Sequence, residues 1–287
     1  MTFFYQFRES RKAQARTATN PAIRPRATLW AYVLLAGLAL PGTASWAQTK
    51  PTAEDSAVKS SGYVGLGVNV APRYQGSDES RTTGIPAFEY RWANGWFVGG
   101  ADGIVGVQLD ATPQLQLGLA LGGDEGRKES DSRYLAGMGD VDERATLNLY
   151  AKAAVTDQFG LSTSLQLGVG SSGKGGLLNV GASYGVSLAP ATRMSFNVGA
   201  TLANTSYMQD YFGVSAAQAS ASGYKRYTPD SGLRDITVGI DLQHQISREW
   251  MLFTGLNSTT LSNAAKDSPL VRKATSQSAF AAIAYSF

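Results

Sequence analysis

Apolar residues recur at every second position over several stretches of the chain. From residue 159 to 169 the odd positions are Phe, Leu, Thr, Leu, Leu and Val, and the even ones are Gly, Ser, Ser, Gln and Gly. Residues 178–188 and 193–202 alternate in the same way. A period of two places the two sets of side chains on opposite faces of a β-strand. The pattern therefore predicts an all-β protein whose strands have one apolar face and one small or polar face.

We predict twelve such strands, with ten as the alternative count. They cover residues 62–71, 84–92, 95–101, 103–110, 114–122, 144–155, 158–170, 176–188, 192–203, 233–246, 248–258 and 276–287. The third and fourth are short and are joined only by Asp102 and Gly103. If these two strands merged, the count would be eleven, and the two ends of the barrel domain would lie on opposite sides.

The connections between the strands alternate in length. Short turns lie at residues 93–94, 111–113, 156–157, 189–191 and 247, long loops at 72–83, 123–143, 204–232 and 259–275, and an intermediate connection at 171–175. Short turns at one end and long loops at the other are typical of outer-membrane barrels, with the turns in the periplasm. The alternation therefore favours an antiparallel up-and-down transmembrane β-barrel.

A soluble β-sandwich is the competing interpretation, since its strands alternate too. The polar faces here carry mostly Gly, Ser, Asn and Gln, and the apolar faces are almost free of charge. A charged residue on the lipid face of a barrel costs about 2–4 kcal/mol at the bilayer midplane. A nearly uncharged apolar face is thus what contact with lipid requires, and the barrel is preferred.

The last predicted strand ends on an aromatic residue. Ala279, Ala281, Ile283, Tyr285 and Phe287 share one face of residues 276–287. This ending resembles the signal that the barrel-assembly machinery reads on the closing strand of outer-membrane barrels. We therefore take Tyr285 and Phe287 as the candidate assembly signal.

Charge is distributed unevenly along the 287 residues. The chain has a net charge of +3 and a pI near 9.0, which by itself suggests a nucleic-acid partner. Residues 1–47, however, hold six basic side chains against one acidic one, and beyond them 19 of the 25 basic and 21 of the 22 acidic side chains remain. The remainder is slightly acidic, so we predict no nucleic-acid partner.

The basic N-terminal part has the features of an export signal. Arg24 and Arg26 precede an apolar core at residues 29–40, and residues 45–47, Ser-Trp-Ala, supply small residues for a cleavage site. We predict an N-terminal extension and signal peptide at 1–47, a flexible periplasmic lead-in at 48–61, and the barrel at 62–287.

Candidate chemistry is sparse. Cysteine is absent, which excludes disulfides and thiolate metal sites. The single histidine, His244, lies on the same face of its predicted strand as the apolar residues. We interpret it as a side chain at the interface between the membrane hydrocarbon and the lipid headgroups. Residues 168–174 resemble a phosphate-binding glycine loop, but a strand rather than the required helix follows them. We predict no catalytic residues, no cofactor and no metal site, and hence no enzyme.

Two groups of charged side chains leave alternatives open. Loop 123–143 carries seven acidic residues, and is either a solvated outer loop or a site for divalent cations that bridge lipopolysaccharide phosphates. Several polar residues face the predicted lumen, where they form either internal salt bridges or the lining of a selective pore. These residues are Glu89, Arg91, Asn148, Lys152, Gln166, Arg193 and Asp241.

Loop 204–232 is rich in aromatic residues, with Tyr207, Tyr211, Phe212, Tyr224 and Tyr227. So many aromatic side chains predict a folded element, and we expect a short helix around 209–219 that covers or enters the barrel mouth, as a structural lid or as a ligand gate.

A fixed turn is expected in the neighbouring loop at Asp267, Ser268 and Pro269. Arg73 and Asp78 are expected to pair with this turn or with loop 204–232.

Three stretches together resemble the MipA/OmpV family of outer-membrane proteins, named for the MltA-interacting protein. They are residues 71–91 (beginning APRYQGSDE), residues 207–233 (beginning YMQDYFGV) and residues 261–287 (beginning LSNAAKDSPLV). The residues that carry the resemblance in the loops are Pro72, Arg73, Tyr74, Gly76, Ser77, Asp78, Tyr211, Phe212, Gly213, Val214, Asp267, Ser268 and Pro269.

The resemblance implies a barrel in the bacterial outer membrane, in contact with its lipid and lipopolysaccharide. It also implies a non-enzymatic scaffold for murein-synthesising and murein-remodelling machinery, with a lytic transglycosylase and a penicillin-binding protein as partners. The motif loops would face outward, whereas murein enzymes work in the periplasm. A small-solute or drug-permeable channel is the alternative.

Overall fold

A computed structural model describes residues 60–170 and 175–287 of the chain. The described part is built around twelve antiparallel strands. They are β1 (Ser61–Pro72), β2 (Ser80–Arg91), β3 (Trp96–Gly99), β4 (Val105–Asp110), β5 (Leu115–Asp124), β6 (Arg144–Ala154), β7 (Phe159–Gly168), β8 (Gly176–Ala189), β9 (Thr192–Ala203), β10 (Gly232–Gln245), β11 (Trp250–Leu261) and β12 (Thr275–Ser286).

Each strand pairs with its neighbours in sequence, and β12 pairs with β1 to close the barrel. At the closure, the backbone N–H of Phe287 donates to the carbonyl of Gly62 at 3.0 Å, and the N–H of Gly62 donates back at 3.1 Å. Closure satisfies the backbone groups that would be unpaired at a sheet edge, which is essential in a bilayer. The predicted fold class and the count of twelve strands are confirmed.

The outer face of the barrel is apolar. Val64, Leu66 and Val68 on β1 are 51%, 68% and 52% exposed, whereas Gly65 and Gly67 between them point inward. A Cβ on Gly67 would lie 2.4 Å from the Cβ of Ala282, so only glycine allows β1 and β12 to approach this closely. An exposed apolar surface around a closed barrel is the surface that lipid covers.

Aromatic side chains lie at the turn end of this apolar surface, on the side of the barrel formed by β11, β12, β1, β2 and β3. Trp92, Trp96, Trp250, Tyr285 and Phe287 are all exposed there. Tyr285 and Trp250 contact each other with ring centroids 5.3 Å apart. Aromatic rings at this level are typical of the interface between hydrocarbon and lipid headgroups.

The two ends of the barrel differ in their connections. At the turn end, the strands are joined by the short segments 92–95, 111–114, 155–158, 190–191 and 246–249. At the loop end lie the long segments 125–143, 204–231 and 262–274, together with 73–79, whereas segment 100–104 joins the short strands β3 and β4 nearer the turn end.

Short helices occur only within these loops among the described residues. They are the 3₁₀ turns Glu129–Asp131 and Arg133–Leu135 and the helices α1 (Thr205–Phe212), α2 (Ala216–Ser222) and α3 (Asn263–Lys266). Over residues 60–170 and 175–287, no helix is both long and apolar enough to cross a membrane.

Strand boundaries differ from the prediction mainly around the β3–β4 hairpin. β2 begins at Ser80 rather than at residue 84, because its first residues are polar on both faces and carry no alternation signal. β3 has only four residues, and β2 pairs with it only from Glu89 to Arg91. The connection after β3 spans 100–104 rather than two residues, since Gly99 and Gly100 both adopt positive φ and turn the chain away from the wall.

The turn-end half of the lumen is filled. Arg91 pairs with Glu89 at 3.0 Å, and Lys152 Nζ lies 2.6 Å from a carboxylate oxygen of Asp102. Asp102 reaches this position because segment 100–104 folds into the barrel. Glu89, Arg91 and Lys152 are only 6%, 3% and 7% exposed, so little water reaches them.

Apolar side chains complete this filling. A buried cluster inside the wall comprises Tyr63, Ala87, Met251, Phe253, Ala282 and Ala284. The seven predicted lumen residues are all buried or half-buried on the inward face of their strands, as expected: Glu89, Arg91, Asn148, Lys152, Gln166, Arg193 and Asp241. The sequence left open whether these residues form internal salt bridges or line a selective pore. Glu89, Arg91 and Lys152 form internal salt bridges.

The predicted signal peptide at 1–47 lies outside the described residues, as does all but the last two positions of the predicted lead-in at 48–61. The described chain enters the barrel at the turn end, where β1 begins at Ser61.

Candidate functional site

The three loops that carry the family resemblance meet at the loop end. We call segments 73–79, 204–231 and 262–274 the cap. Its parts are joined mainly by hydrogen bonds from side chains of one loop to main-chain carbonyls of another. Such bonds fix the loops relative to one another without adding a strand to the barrel.

Segment 73–79 is bound to segment 262–274. The hydroxyl of Tyr74 donates to the carbonyl of Leu270 at 3.0 Å. The carbonyl of Gly76 accepts from the backbone N–H groups of Arg272 and Lys273 at 2.8 and 3.0 Å. Gly76 has a φ of +92°, and a Cβ there would lie 2.7 Å from a methyl group of Val271. A glycine is therefore required at this position.

Segment 262–274 is bound in turn to segment 204–231. The hydroxyl of Ser268 donates to the carbonyl of Phe212 at 2.6 Å, and that of Tyr227 donates to the carbonyl of Ala264 at 2.7 Å. Phe212 is fully buried in a cluster with Tyr207, Met208 and Leu261. The cap is therefore a packed element, as the aromatic content of loop 204–232 predicted.

The predicted single helix at 209–219 is wrong in its extent. Two helices occur, and the chain between them is extended because Val214 forms an antiparallel bridge with Tyr227. The hydroxyl of Ser215 then caps α2 by accepting from the N–H of Gln218. A helix that continued through Gly213 and Val214 would lose both the bridge and this cap.

Helix α1 is anchored to the barrel rim by a polar cluster. Arg144 pairs with both Asp124 and Asp210 at 3.0 Å. The hydroxyl of Tyr211 donates to Asp124 at 2.6 Å, and its ring stacks on Tyr207 with centroids 4.4 Å apart. Burial, followed by the hydrogen bond to Asp124, raises the pKa of the Tyr211 phenol above its usual range.

The pairing expected for Arg73 is wrong. Its guanidinium donates to the carbonyl of Asp131 at 3.2 Å and lies 3.9 Å from Glu79, so it contacts segment 125–143 rather than the other cap loops. Asp78 is exposed, and no ion pair within 4 Å joins it to another described residue. The expectation considered only the turn at 267–269 and loop 204–232, and did not include segment 125–143 as a partner of Arg73.

The remaining motif residues are divided between buried and exposed positions. Ser77 is buried, and its hydroxyl accepts from the N–H of Glu79. Pro72 and Pro269 are half-buried, and Asp267 is exposed. Tyr285 and Phe287 lie at the opposite, turn end, outside the cap. The structure therefore joins the loop motifs into one site and leaves the candidate assembly signal apart from it.

Segment 125–143 uses its carboxylates to order its own backbone. Glu129 accepts from the N–H groups of Gly137 and Gly139 at 2.9 and 2.7 Å, and Asp140 accepts from the N–H of Glu129 at 2.7 Å. In the part of the chain that the structure describes, no group of three or more His, Asp or Glu side chains is arranged to hold a metal ion.

Beneath the cap lies a cavity of about 460 Å³ in the loop-end half of the lumen. Its walls include Tyr207 and Tyr211 from α1, Tyr74 and Gln75 from segment 73–79, and small polar side chains of the strands. Arg127 of segment 125–143 is 4% exposed and also lines this cavity. No pattern in the sequence distinguishes it from the exposed Arg133 six residues later.

His244 lies far from this cavity, on the outward face of β10 near the turn end. Its Nδ1 is 2.9 Å from the hydroxyl of Thr192 on the neighbouring strand. This position agrees with an interfacial ring.

Comparison with known proteins identifies a family. The family described as MltA-interacting protein MipA matches residues 64–287. No curated protein sequence matches the chain.

Several solved structures are similar to the chain at low sequence identity. A KdgM porin is 11% identical with a TM-score of 0.42, covering 78% of this chain and 99% of the porin. The NanC porin is 10% identical with a TM-score of 0.42, covering 77% and 98%. An outer membrane channel from Pseudomonas putida F1 is 11% identical with a TM-score of 0.42, covering 84% and 100%.

Proposed function

Because the chain belongs to the MipA family, we propose that this barrel of the outer membrane is a non-enzymatic scaffold for the machinery that synthesises and remodels murein. The partner that the family description names is MltA, a lytic transglycosylase. A penicillin-binding protein is the second partner that we propose. The role of the barrel would be to hold such enzymes at the membrane rather than to perform chemistry itself.

The observation that carries this proposal is the filled turn-end half of the lumen. Inward side chains of a water-filled channel remain accessible to water, whereas Arg91, Lys152 and Phe253 are 3%, 7% and 3% exposed. An open pore would have to break the Lys152–Asp102 pair or move segment 100–104 out of the barrel. A closed lumen supports attachment in preference to transport.

The turn end is the surface that we assign to periplasmic partners. In the orientation usual for outer-membrane barrels, the short turns face the periplasm. Segment 155–158, the turn between β6 and β7, exposes Val155 and Asp157 there. The cap faces the opposite side, so the murein enzymes would not contact it.

Crosslinking in intact envelopes, followed by affinity capture of the barrel, tests the scaffold role. We expect to recover a lytic transglycosylase or a penicillin-binding protein. Asp157→Lys at the turn end should reduce this recovery, whereas Asp267→Lys, the same change at an exposed position of the cap, should not. Recovery of no murein enzyme by the unmodified barrel would refute the proposal.

A channel for small solutes or drugs is the second candidate, and the cavity beneath the cap is the observation that favours it. Recording in planar bilayers separates the two functions. A scaffold with the lumen filled as described should give no steady conductance. A steady open level in the unmodified protein would favour the channel.

Three further partners are proposed from the positions of these residues and surfaces. Tyr285 and Phe287 lie on the closing strand and at the end of the chain, and we propose that the barrel-assembly machinery reads them. The exposed apolar wall contacts membrane lipid, and the loop end contacts lipopolysaccharide.

A further inference from the structure

The cavity beneath the cap is lined by more positive than negative side chains. Its charged residues are Arg73, Arg81, Arg127, Arg234, Asp124 and Asp235. Four arginines and two aspartates line it, and several of these charges are paired with residues outside the lining. Whether the cavity favours an anionic ligand therefore depends on which arginine lacks a carboxylate partner.

Most of these charges have a partner of opposite sign. Asp124 is held by Arg144 and by the hydroxyl of Tyr211. Asp235 pairs with Arg234, and Arg81 lies 3.6 Å from Asp131. Arg73 lies 3.9 Å from Glu79. These pairs account for every charged residue of the lining except one.

Arg127 is that exception. No carboxylate of the described residues lies within 4 Å of it, although it is 4% exposed. Backbone hydrogen bonds with Val141, at 2.9 and 2.7 Å, fix its position in segment 125–143. A buried guanidinium without a counter-ion is uncommon, because burial without compensation is costly.

The donors of Arg127 are used unequally. Nη1 donates to the carbonyl of Tyr211 at 2.9 Å, whereas Nε and Nη2 have no hydrogen-bond partner. Nε and Nη2 form one edge of the guanidinium, with two parallel N–H bonds. This edge matches two oxygens of a phosphate or a carboxylate.

We propose that the cavity binds a phosphate group, with the free edge of Arg127 as its principal ligand. A phosphate monoester carries a charge of about −1.5 to −2 at pH 7, and it supplies the counter-charge that Arg127 lacks. Both free nitrogens are shielded beneath the cap, so the ligand enters when the cap loosens. This proposal is independent of the murein partners.

One part of the barrel wall beside the cavity is closed by side chains rather than by paired strands. β2 pairs with β3 only over residues 89–91, so the part of β2 nearer the loop end has no strand partner on that edge. Pro86 lies in this unpaired part, and its backbone nitrogen has no hydrogen to donate. Above the short β3–β4 hairpin, Arg81 of β2 reaches across to Glu125 and Asp131 of segment 125–143, at 4.0 and 3.6 Å. The phosphate belongs either to a soluble phosphorylated molecule or to lipopolysaccharide, and the experiment distinguishes these two sources.

Binding of defined phosphates to the purified full-length mature protein tests the proposal. In detergent, thermal unfolding is measured with inorganic phosphate or glucosamine 1-phosphate, against chloride at equal ionic strength. In nanodiscs, the same measurement compares lipopolysaccharide with phosphatidylcholine. Arg127→Gln removes the site, and Arg133→Gln, the same change at an exposed position of the same segment, is the matched control.

We expect saturable stabilisation of the unmodified protein and of Arg133→Gln, with affinity at least tenfold weaker in Arg127→Gln, as for the loss of a charged hydrogen bond. Stabilisation by the soluble phosphates identifies a soluble ligand, and stabilisation by lipopolysaccharide alone identifies the lipid headgroup.

Arg127→Lys keeps the charge without the paired edge and should bind with intermediate affinity. Heat-dependent migration in gel electrophoresis verifies that each variant is folded. The proposal is overturned if neither source stabilises the unmodified protein specifically, or if folded Arg127→Gln responds as Arg133→Gln does.

Discussion

The two halves of the lumen are closed in different ways. In the turn-end half, charged and aromatic side chains of the barrel wall fill the interior, and the Lys152–Asp102 and Arg91–Glu89 pairs lie among them. In the loop-end half, three loops form a cap over a cavity, and hydrogen bonds to main-chain carbonyls hold the loops together. The turn-end half is closed by side chains inside the barrel, whereas the loop-end half is closed by loops that pack on the barrel rim.

This difference predicts different responses to mutation. A change inside the turn-end half disturbs residues whose backbones belong to the barrel itself, so the whole domain should lose stability. A change in the cap disturbs contacts between loops, and the strands beneath them can remain paired. The barrel should therefore unfold as one unit, whereas the cap should open locally.

The largest effect is expected for Lys152→Ala. It leaves the carboxylate of Asp102 buried without its counter-ion, which typically costs about 3–5 kcal/mol. Urea unfolding in micelles, followed by tryptophan fluorescence, measures the loss. Lys225→Ala, at an exposed position of segment 204–231, is the control and should change stability by less than about 0.5 kcal/mol.

A double variant separates charge from packing in this half. Lys152→Met with Asp102→Leu removes both charges and should recover most of the stability, since apolar pairs can replace buried ion pairs. If Lys152→Ala and Lys225→Ala unfolded at the same urea concentration, the filled half would not depend on its ion pairs.

The comparison also separates what sequence could predict from what it could not. Barrel strands are predictable because lipid and lumen impose opposite demands on neighbouring residues, as at Leu66 and Gly67. Glu89, Arg91 and Lys152 were predicted as lumen residues only from the alternation of inward and outward positions along their strands. Asp102 was not, because it lies in a glycine-rich connection whose inward fold depends on contact with β6, fifty residues away.

The cap shows the same limit more strongly. Aromatic content predicted that segment 204–231 is folded, but not that Val214 would bridge to Tyr227 and divide the helix. The burial of Arg127 depends on how segment 125–143 packs beneath α1. Contacts between loops have no periodicity, so local sequence does not determine them.

A smaller and local effect is expected for Gly76→Ala. The left-handed conformation costs a residue with a Cβ about 1–2 kcal/mol, and here the Cβ would also meet Val271 at 2.7 Å. Limited proteolysis should cleave segment 204–231 roughly five to thirty times faster, while urea unfolding of the barrel remains unchanged. Gly84→Ala is the control, since a Cβ on Gly84 meets nothing within 4 Å. Equal cleavage of the two variants would contradict a cap held through Gly76.

The smallest effect is expected from pH, acting on the bond between Tyr74 and Leu270. Burial, followed by the nearby Tyr224 and Asp78, raises the pKa of Tyr74 to about 12. In an open cap the phenol would titrate near 10, so the open form releases its proton first. The contribution of Tyr74 to the closed cap is complete below pH 10 and is lost as the pH rises through 12. At pH 11 the loss is about 1 kcal/mol.

The rate of cleavage by an alkaline protease, corrected for its activity on an unfolded substrate, measures this loss between pH 9 and 11.5. Tyr207, Tyr211 and Tyr227 also have raised pKa values because they are buried, so some dependence on pH persists without Tyr74. In Tyr74→Phe the cap should open more readily at pH 8, because the carbonyl of Leu270 loses its donor. Its cleavage rate should also increase less steeply with pH, and at pH 11 the slope should correspond to about one proton fewer released on opening. Tyr134→Phe should keep the full slope. If the cleavage rate of Tyr74→Phe depended on pH as steeply as that of the unmodified protein, the closed cap would not be stabilised by the protonated phenol of Tyr74.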